Sequence, residues 1–262
     1  MTTPQVQHIH SRENALLKEL RRLAQDSTAY RKAGRVWLEG DHLCRAALQR
    51  GVTPAIAVIS EGLWTADPGT WEGTASRTVV VPEPLFAGLS GLESHGHIGF
   101  VIDLPESAGL QADAPTVVLD GVQDAGNVGA ILRSAAAFGF RQVVAMKGTA
   151  ALWSPKVLRA GMGAHFGLQL AEGLDESALD HLAVPLLATS SHQGEYLHRT
   201  ALPWPCAWVL GHEGQGVSRG VAQRASRWVR IVQPGGEESL NVAAAAAVCL
   251  HASAAASDTH PA

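Results

Sequence analysis

The segment Gly235-Gly236-Glu237-Glu238-Ser239-Leu240-Asn241-Val242 joins two glycines and two acids to a run of small helix formers, Ala243 to Ala247 and then Val248, Cys249 and Leu250. Free backbone N–H groups gather at the start of a helix, and small side chains let a ligand or another backbone come close. Glu238, Ser239 and Asn241 at that mouth read in two ways: as caps of an ordinary core helix, or as groups that hold a polar small molecule. Two other stretches end similarly. Val117-Val118-Leu119-Asp120 is an apolar strand that runs through a Gly/Asp-rich turn into a helix bearing Asn127 and Arg133. Ala207-Trp208-Val209-Leu210 is a strand that runs into Gly211-His212-Glu213-Gly214-Gln215-Gly216. Parallel strands would deliver these polar loops to one sheet edge, the C-terminal edge where open α/β sheets bind ligands.

The elements that must position them follow from periodicity. Residues 1–10 read as disordered. The spacing predicts a helix over 11–24, with Ser11 as N-cap and Leu16, Leu17, Leu20 and Leu23 as its apolar stripe. Strands at 36–40, 56–59, 78–81 and 98–102 and a helix at 41–50 make a small α/β domain over 11–104. Residues 105–115, framed by prolines and poor in large apolar groups, read as a linker. From 116 to 253, strands at 116–119, 142–146, 185–189, 207–210 and 228–232 alternate with helical segments, the pattern of a parallel sheet covered on both faces. Residues 254–262 read as a tail.

Composition narrows the class. The net charge of −4 weighs against a general nucleic-acid binder, and DNA is not an expected partner. Its distribution is uneven, however. Residues 1–50 hold nine Lys/Arg against five acids, while the other 212 hold eleven against nineteen. Lys18, Arg21 and Arg22 fall on adjacent helical turns, with Arg31, Lys32 and Arg35 just beyond. That cluster reads as a solvated face or as a phosphate-binding one. Cys44, Cys206 and Cys249 are far apart and show no zinc spacing, so reduced thiols and no metal site are expected. The longest apolar stretch, Val242 to Ala256, is interrupted by His251 and Ser253 and too short to span a bilayer. The N-terminus lacks the order of a signal peptide. A cytoplasmic protein without membrane contact is expected.

Asn127 with Arg133, Gly211-x-Glu213-Gly214-x-Gly216 and Ser239-Leu240-Asn241-Val242, in that order, resemble the three motifs of the SpoU (TrmH-type) RNA ribose 2′-O-methyltransferases of the SPOUT superfamily. Ser154-Pro155-Lys156-Val157 through Ala164 resembles the segment between the first two motifs. Asn14, Lys18, Tyr30-Arg31, Glu39-Gly40 and Glu93-Ser94-His95-Gly96 resemble the family's substrate-binding domain. The likeness spans roughly Ser11 to Ala252. It implies a parallel-sheet domain with a trefoil knot, preceded by a small α/β RNA-binding domain. It implies S-adenosylmethionine as cofactor, a homodimer, and an RNA substrate; the separate N-terminal domain favours ribosomal RNA, with transfer RNA as the alternative.

The same resemblance implies roles. Arg133 is the central catalytic residue, and Asn127, Glu213, Ser239 and Asn241 accompany it. Asn127 orients Arg133 or its loop, or is only a turn asparagine. Glu213 orients Asn127 or Arg133, or holds substrate. Gly211, Ile231 and Leu240 match positions that contact the adenosine, and Thr189 and Ser190 are further candidates. The chain departs from the family at His212, usually Asn, at Ile231-Val232-Gln233, commonly Ile-Pro-Met, and at Gly161, commonly Ser. A dinucleotide-binding enzyme would need G-x-G-x-x-G after the first strand, and Gly161-Met162-Gly163 lacks the third glycine. An RNA-binding module that has lost catalysis is the other competing reading.

Overall fold

The computed structural model describes residues 5–90, 96–106, 109–235 and 239–258. They fall into two units, Met1–Glu106 with Trp153–Phe166, and Ser107–Leu152 with Gly167–Ala262.

In the first unit, strands β1 (Gln5–His8), β2 (Arg35–Glu39), β3 (Ile56–Ser60), β4 (Arg77–Val81) and β5 (Ile98–Asp103) lie in the order β1-β4-β3-β5-β2. β1, β4 and β3 are parallel, and β5 runs antiparallel to both β3 and β2. The helices are α1 (Ala15–Gln25), α2 (Ala29–Ala33), α3 (Asp41–Gln49), α4 (Glu61–Ala66), α5 (Pro68–Trp71) and α6 (Glu83–Ala87). Leu17, Leu20 and Leu23 of α1 are buried, as their spacing predicts. The cap of α1 is Asn14, whose side-chain oxygen accepts from the Leu16 N–H; Ser11 instead accepts from the Glu13 N–H in the turn before it. Residues 5–8 are a strand where the sequence suggested disorder. They pair with Arg77–Val80 at the sheet edge, and polar Gln7 and His8 give so short an edge strand little apolar signature. Gly99 in β5 has a packing reason: a Cβ there would lie 2.1 Å from the Trp37 ring of the neighbouring strand.

Trp153–Phe166, read from the sequence as part of the second domain, groups with the first unit. The helix within this segment is α8 (Pro155–Gly161), which follows α7 (Ala125–Ala137) of the second unit in the chain. Val157 and Leu158 are buried as α8 packs on β2 and α1. Local periodicity gives a helix here but not which sheet it covers.

In the second unit, β6 (Thr116–Asp120), β7 (Gln142–Met146), β8 (Gln169–Leu174), β9 (Leu186–Thr189), β10 (Glu195–Tyr196), β11 (Ala207–Gly211) and β12 (Arg227–Arg230) form a sheet ordered β10-β12-β9-β11-β6-β7-β8. Every pairing in it is parallel. β6, β7 and β11 are buried along their whole length, which explains their unbroken apolar runs. β8 and β10 escaped the sequence reading: β8 is only partly buried and β10 has two residues. β11 comes late in the chain yet fills the place between β9 and β6, so the chain must return into a sheet already laid down. The remaining helices are α9 (Arg219–Ala222) and α10 (Val242–Asp258), and α10 packs on α7 and β11. The Trp208 indole N–H donates to Ser253 Oγ at 2.8 Å, both groups buried, and so locks α10 to β11. Residues 254–258, expected in the tail, continue this helix.

The second half of the expected linker is held by this unit. Gln142 Oε1 accepts from the Gln111 N–H at 2.8 Å, and the Ala183 N–H donates to the Ala112 carbonyl at 2.9 Å. Cys44, Cys206 and Cys249 are free and buried. Burial pushes Cys206 up to about 11 and Cys249 to about 12, so both are thiols at neutral pH. Among the described residues no helix is long and apolar enough to cross a membrane.

Candidate active site

Parallel register sets the strand ends side by side. Gly211 pairs with Asp120, and Thr189 with Val229. The loops that follow β6, β9, β11 and β12 therefore leave from one edge of the sheet. Asp120, only 8% exposed, accepts from the Ser218 N–H at 2.6 Å and ties the loop after β11 back to β6. That loop folds tightly. The His212 and Gly216 backbones exchange hydrogen bonds of 2.9 and 2.8 Å. A Cβ on Gly211 would lie 2.3 Å from the Gly216 carbonyl carbon and 2.4 Å from the Val217 nitrogen. Glycine at 211, nominated for adenosine contact, is thus also required by the packing of the protein's own loop. His212 Nδ1 accepts from the Gly214 and Gln215 N–H groups at 2.9 and 3.2 Å. An asparagine oxygen could accept the same donors, which gives a physical basis for His212 at a position where the resemblance expects Asn.

Glu213, at the tip of this loop, organises the β6–α7 turn. Its carboxylate accepts from the Gln123 N–H at 3.2 Å, the Asp124 N–H at 3.2 Å and the Asn127 amide at 3.1 Å. Desolvation acts to raise its pKa, but these bonds, the Asn127 one foremost, outweigh it and hold the carboxyl below its ordinary value. Asp124 caps α7 by accepting from the Asn127 N–H at 2.7 Å. With its amide nitrogen committed to Glu213, Asn127 turns its oxygen to Asn241, whose amide donates at 2.9 Å. Asn241 Oδ1 accepts from the Ala243 and Ala244 N–H groups at 2.9 and 3.2 Å and so caps α10. The sequence reading weighed Ser239 as a cap; Asn241 fills that position. Gly236, Glu237 and Glu238 lie outside the described residues.

Beside this chain of side chains lies a cleft of about 740 Å³, within the range of small-molecule sites. All five residues nominated for cofactor contact, Thr189, Ser190, Gly211, Ile231 and Leu240, line it, together with Glu213, Ser239 and Asn241. Thr189 spends its hydroxyl proton on the Val209 carbonyl at 3.0 Å, and Ser190 Oγ accepts from the His192 and Gln193 N–H groups at 3.1 and 3.2 Å. These two shape the wall before offering anything to a ligand. Ile231 and Leu240 supply apolar surface, and Gln233 adds a buried side-chain oxygen with no hydrogen-bond partner among the described residues. Apolar walls, backbone-rich glycine loops and a few polar groups suit a nucleoside-bearing molecule.

Other nominated residues stand apart from the cleft. Asn127 reaches its lining only through Glu213 and Asn241. Arg133 is exposed on α7, does not line the cleft, and has no hydrogen-bond or ion-pair partner among the described residues. The basic residues of the first unit are mostly occupied. Lys18 lies 2.7 Å from Glu13, and Arg21 donates to the Arg12 carbonyl at 2.6 Å. Arg31 lies over the Tyr30 ring, and Arg35 is within 3.8 and 3.9 Å of Glu19 and Asp103. Arg22 and Lys32 are exposed. Exposed pairs of this kind are weak, so these cations can exchange protein partners for phosphate; half-buried Arg35, between two acids, is the most structural of them. Glu93, Ser94 and His95 lie outside the described residues.

Sequence reasoning missed Asp120, Asp124, Gln233 and the turn-holding role of His212. The Asp124-x-x-Asn127 spacing is a helix-cap signal that could have found one of them. It also missed a grouping in the first unit, where His8, His10 and Glu61 bring possible ligand atoms within 4.8 Å of one another.

The model of the SpoU rRNA Methylase family matches residues 114–251. The chain is 29% identical over 250 residues to the Bacillus subtilis 23S rRNA (guanosine(2553)-2′-O)-methyltransferase RlmP, covering 94% of this chain and 98% of that protein. Among solved structures, an RNA 2′-O ribose methyltransferase superposes with a TM-score of 0.78 at 29% identity, covering 95% of this chain and 99% of the other. An AdoMet-bound rRNA methyltransferase from Sinorhizobium meliloti gives 0.81 at 24% identity, covering 98% and 100%, a likeness of fold.

Proposed function

Because the chain belongs to the SpoU rRNA methylase family, we infer that it transfers a methyl group from S-adenosylmethionine to a ribose 2′-hydroxyl in structured RNA, with ribosomal RNA as the target. The observation that carries this reading is the cleft itself. Residues from two of the motifs, Gly211 and Glu213 from one and Ser239 to Asn241 from the other, line one space with Ile231 at the end of a parallel sheet. S-adenosylmethionine supplies a sulfonium methyl, an electrophile whose transfer needs no metal.

The chain's own residues do the rest by positioning and charge. The Gly211–Gly216 loop, Ile231 and Leu240 hold the nucleoside. Glu213, Asn127 and Asn241 fix the loops after β6 and β12 against each other. Ser239, exposed and without a partner among the described residues, offers a hydroxyl to the ribose. Arg133 stays protonated, because guanidinium does not release its proton in proteins. Its role is therefore to bind the target phosphate through its planar fork and to stabilise negative charge on the 2′-oxygen.

The first unit grips RNA by phosphate and shape, with Lys18, Arg21, Arg22, Arg31, Lys32 and Arg35 as the contact face. The name of the Bacillus subtilis relative supports ribosomal over transfer RNA. The protein works in the cytoplasm as a homodimer formed through the second unit, where Val248 of α10 stands 43% exposed. The return of the chain to lay β11 between β9 and β6 agrees with a knotted path. The test is incubation with methyl-labelled S-adenosylmethionine and separated ribosomal and transfer RNA from cells lacking the gene. Label in alkali-resistant dinucleotides of ribosomal RNA is expected; label confined to transfer RNA would overturn the target.

A further inference from the structure

Among the described residues of the cleft wall, Gln233 carries a buried polar atom that no protein group satisfies. Its side-chain oxygen is buried and has no hydrogen-bond partner among the described residues, and the residue lines the cleft. A buried amide oxygen without a donor is costly, so the position is unfavourable unless a bound molecule completes it. The segment after β12 also aims it. Ile231 and Gln233 both line the cleft, while Val232 between them is 49% exposed. Alternation in non-helical chain thus sets the amide beside the apolar Ile231, on the same side of the segment.

We propose that Gln233 recognises the adenine of the bound cofactor, its side-chain oxygen accepting a hydrogen bond from the exocyclic 6-amino group. The assignment rests on the S-adenosylmethionine reading of this cleft. An amide oxygen only accepts, so its partner must be a donor. The donors of such a ligand are ribose hydroxyls, a charged ammonium and the 6-amino group. Only the last sits at the edge of a flat apolar ring that packs against Ile231 and Leu240 while its edge meets a polar atom. A charged ammonium would leave its charge unpaired beside a neutral amide in an apolar wall. Gln233 therefore acts in specificity, selecting a 6-amino purine over a 6-oxo purine.

The experiment is calorimetric titration with S-adenosylhomocysteine and with S-inosylhomocysteine, whose base carries oxygen in place of the amino group. Wild type is compared with Gln233→Met and Gln233→Leu, and urea midpoints establish that each variant is folded. Wild type is expected to bind the adenosyl ligand at least tenfold more tightly than the inosyl one. Both variants are expected to lose about tenfold in adenosyl affinity and to bind the inosyl ligand within threefold of wild type. Undiminished discrimination in folded variants overturns the role of Gln233 and leaves the cofactor reading intact. Failure of wild type to bind the adenosyl ligand at all overturns both.

Discussion

Asn241 donates its side-chain amide to the Asn127 oxygen at 2.9 Å, joining residues 114 apart in sequence. Each asparagine is also committed elsewhere: Asn127 donates to Glu213, and Asn241 accepts from the first N–H groups of α10. The start of α10, the start of α7 and the loop after β11 are thereby set by one continuous run of hydrogen bonds. A change at any of the three side chains should be felt in the placement of the others.

Asn241 lets helix capping be separated from this linkage. Asn241→Ala removes the cap and should cost about 1 kcal/mol of stability. Asn241→Asp keeps an oxygen for the cap but has no amide to donate to Asn127. It should retain most of the stability and lose at least tenfold in kcat/KM. Urea unfolding with methyl-transfer kinetics reads both, and an Asn241→Asp enzyme with wild-type kinetics would remove the linkage from the mechanism.

The Glu213 carboxyl is held below its ordinary value because its hydrogen bonds to Asn127, Gln123 and Asp124 outweigh partial desolvation. A lowered folded-state pKa contributes stability that is present above the ordinary glutamate value and is lost as pH falls through the lowered one. Stability should therefore carry an acid-limb component below the usual carboxylate range that Glu213→Gln lacks. At neutral pH the Gln variant turns an amide donor toward one of the backbone N–H groups and should lose at least tenfold in kcat/KM. Superimposable acid limbs for the two proteins would contradict this account.

His212 holds its loop as an acceptor through Nδ1. His212→Asn should keep cofactor affinity within about threefold, whereas His212→Leu, with no acceptor, should weaken it by about tenfold or more. Titration with S-adenosylhomocysteine distinguishes them; equal affinities in both variants would show that the loop does not depend on this acceptor.

Ser253 accepts from the buried Trp208 indole at 2.8 Å. Ser253→Ala leaves that N–H without a partner and should destabilise the protein by about 1–3 kcal/mol. The free energy from urea unfolding is the check, and a change under about 0.5 kcal/mol would mean that the indole finds another acceptor.

Much of this was legible because the strands of the second unit are buried on both faces. Ala207 to Leu210 and Val117 to Leu119 announce themselves as continuous apolar runs, and their glycine-rich exits follow directly. What could not be read is long-range. Nothing local says that β11 sits between β9 and β6, or that Trp153–Phe166 belongs with the first unit. Gly211 was nominated for adenosine contact; that Gly216–Val217 of its own loop also presses against it shows only in the folded chain. Glu213, Asn127 and Asn241 could be nominated together by resemblance. That one carboxylate holds Asn127, and that Asn127 passes its oxygen to Asn241, depends on loops whose paths are set by the whole sheet. Gln233 was visible only as a departure from the family pattern, and its unpartnered oxygen appears only once the cleft is folded.

The most direct test of the central claim is transfer of labelled methyl from S-adenosylmethionine to ribosomal RNA by wild type and by Arg133→Ala, with cofactor affinity measured in parallel. The account predicts alkali-resistant 2′-O-methyl label with wild type, at least a hundredfold slower transfer with Arg133→Ala, and cofactor affinity unchanged between them, since Arg133 does not line the cleft. Wild-type rates in Arg133→Ala, or label on a base rather than a ribose, would contradict it.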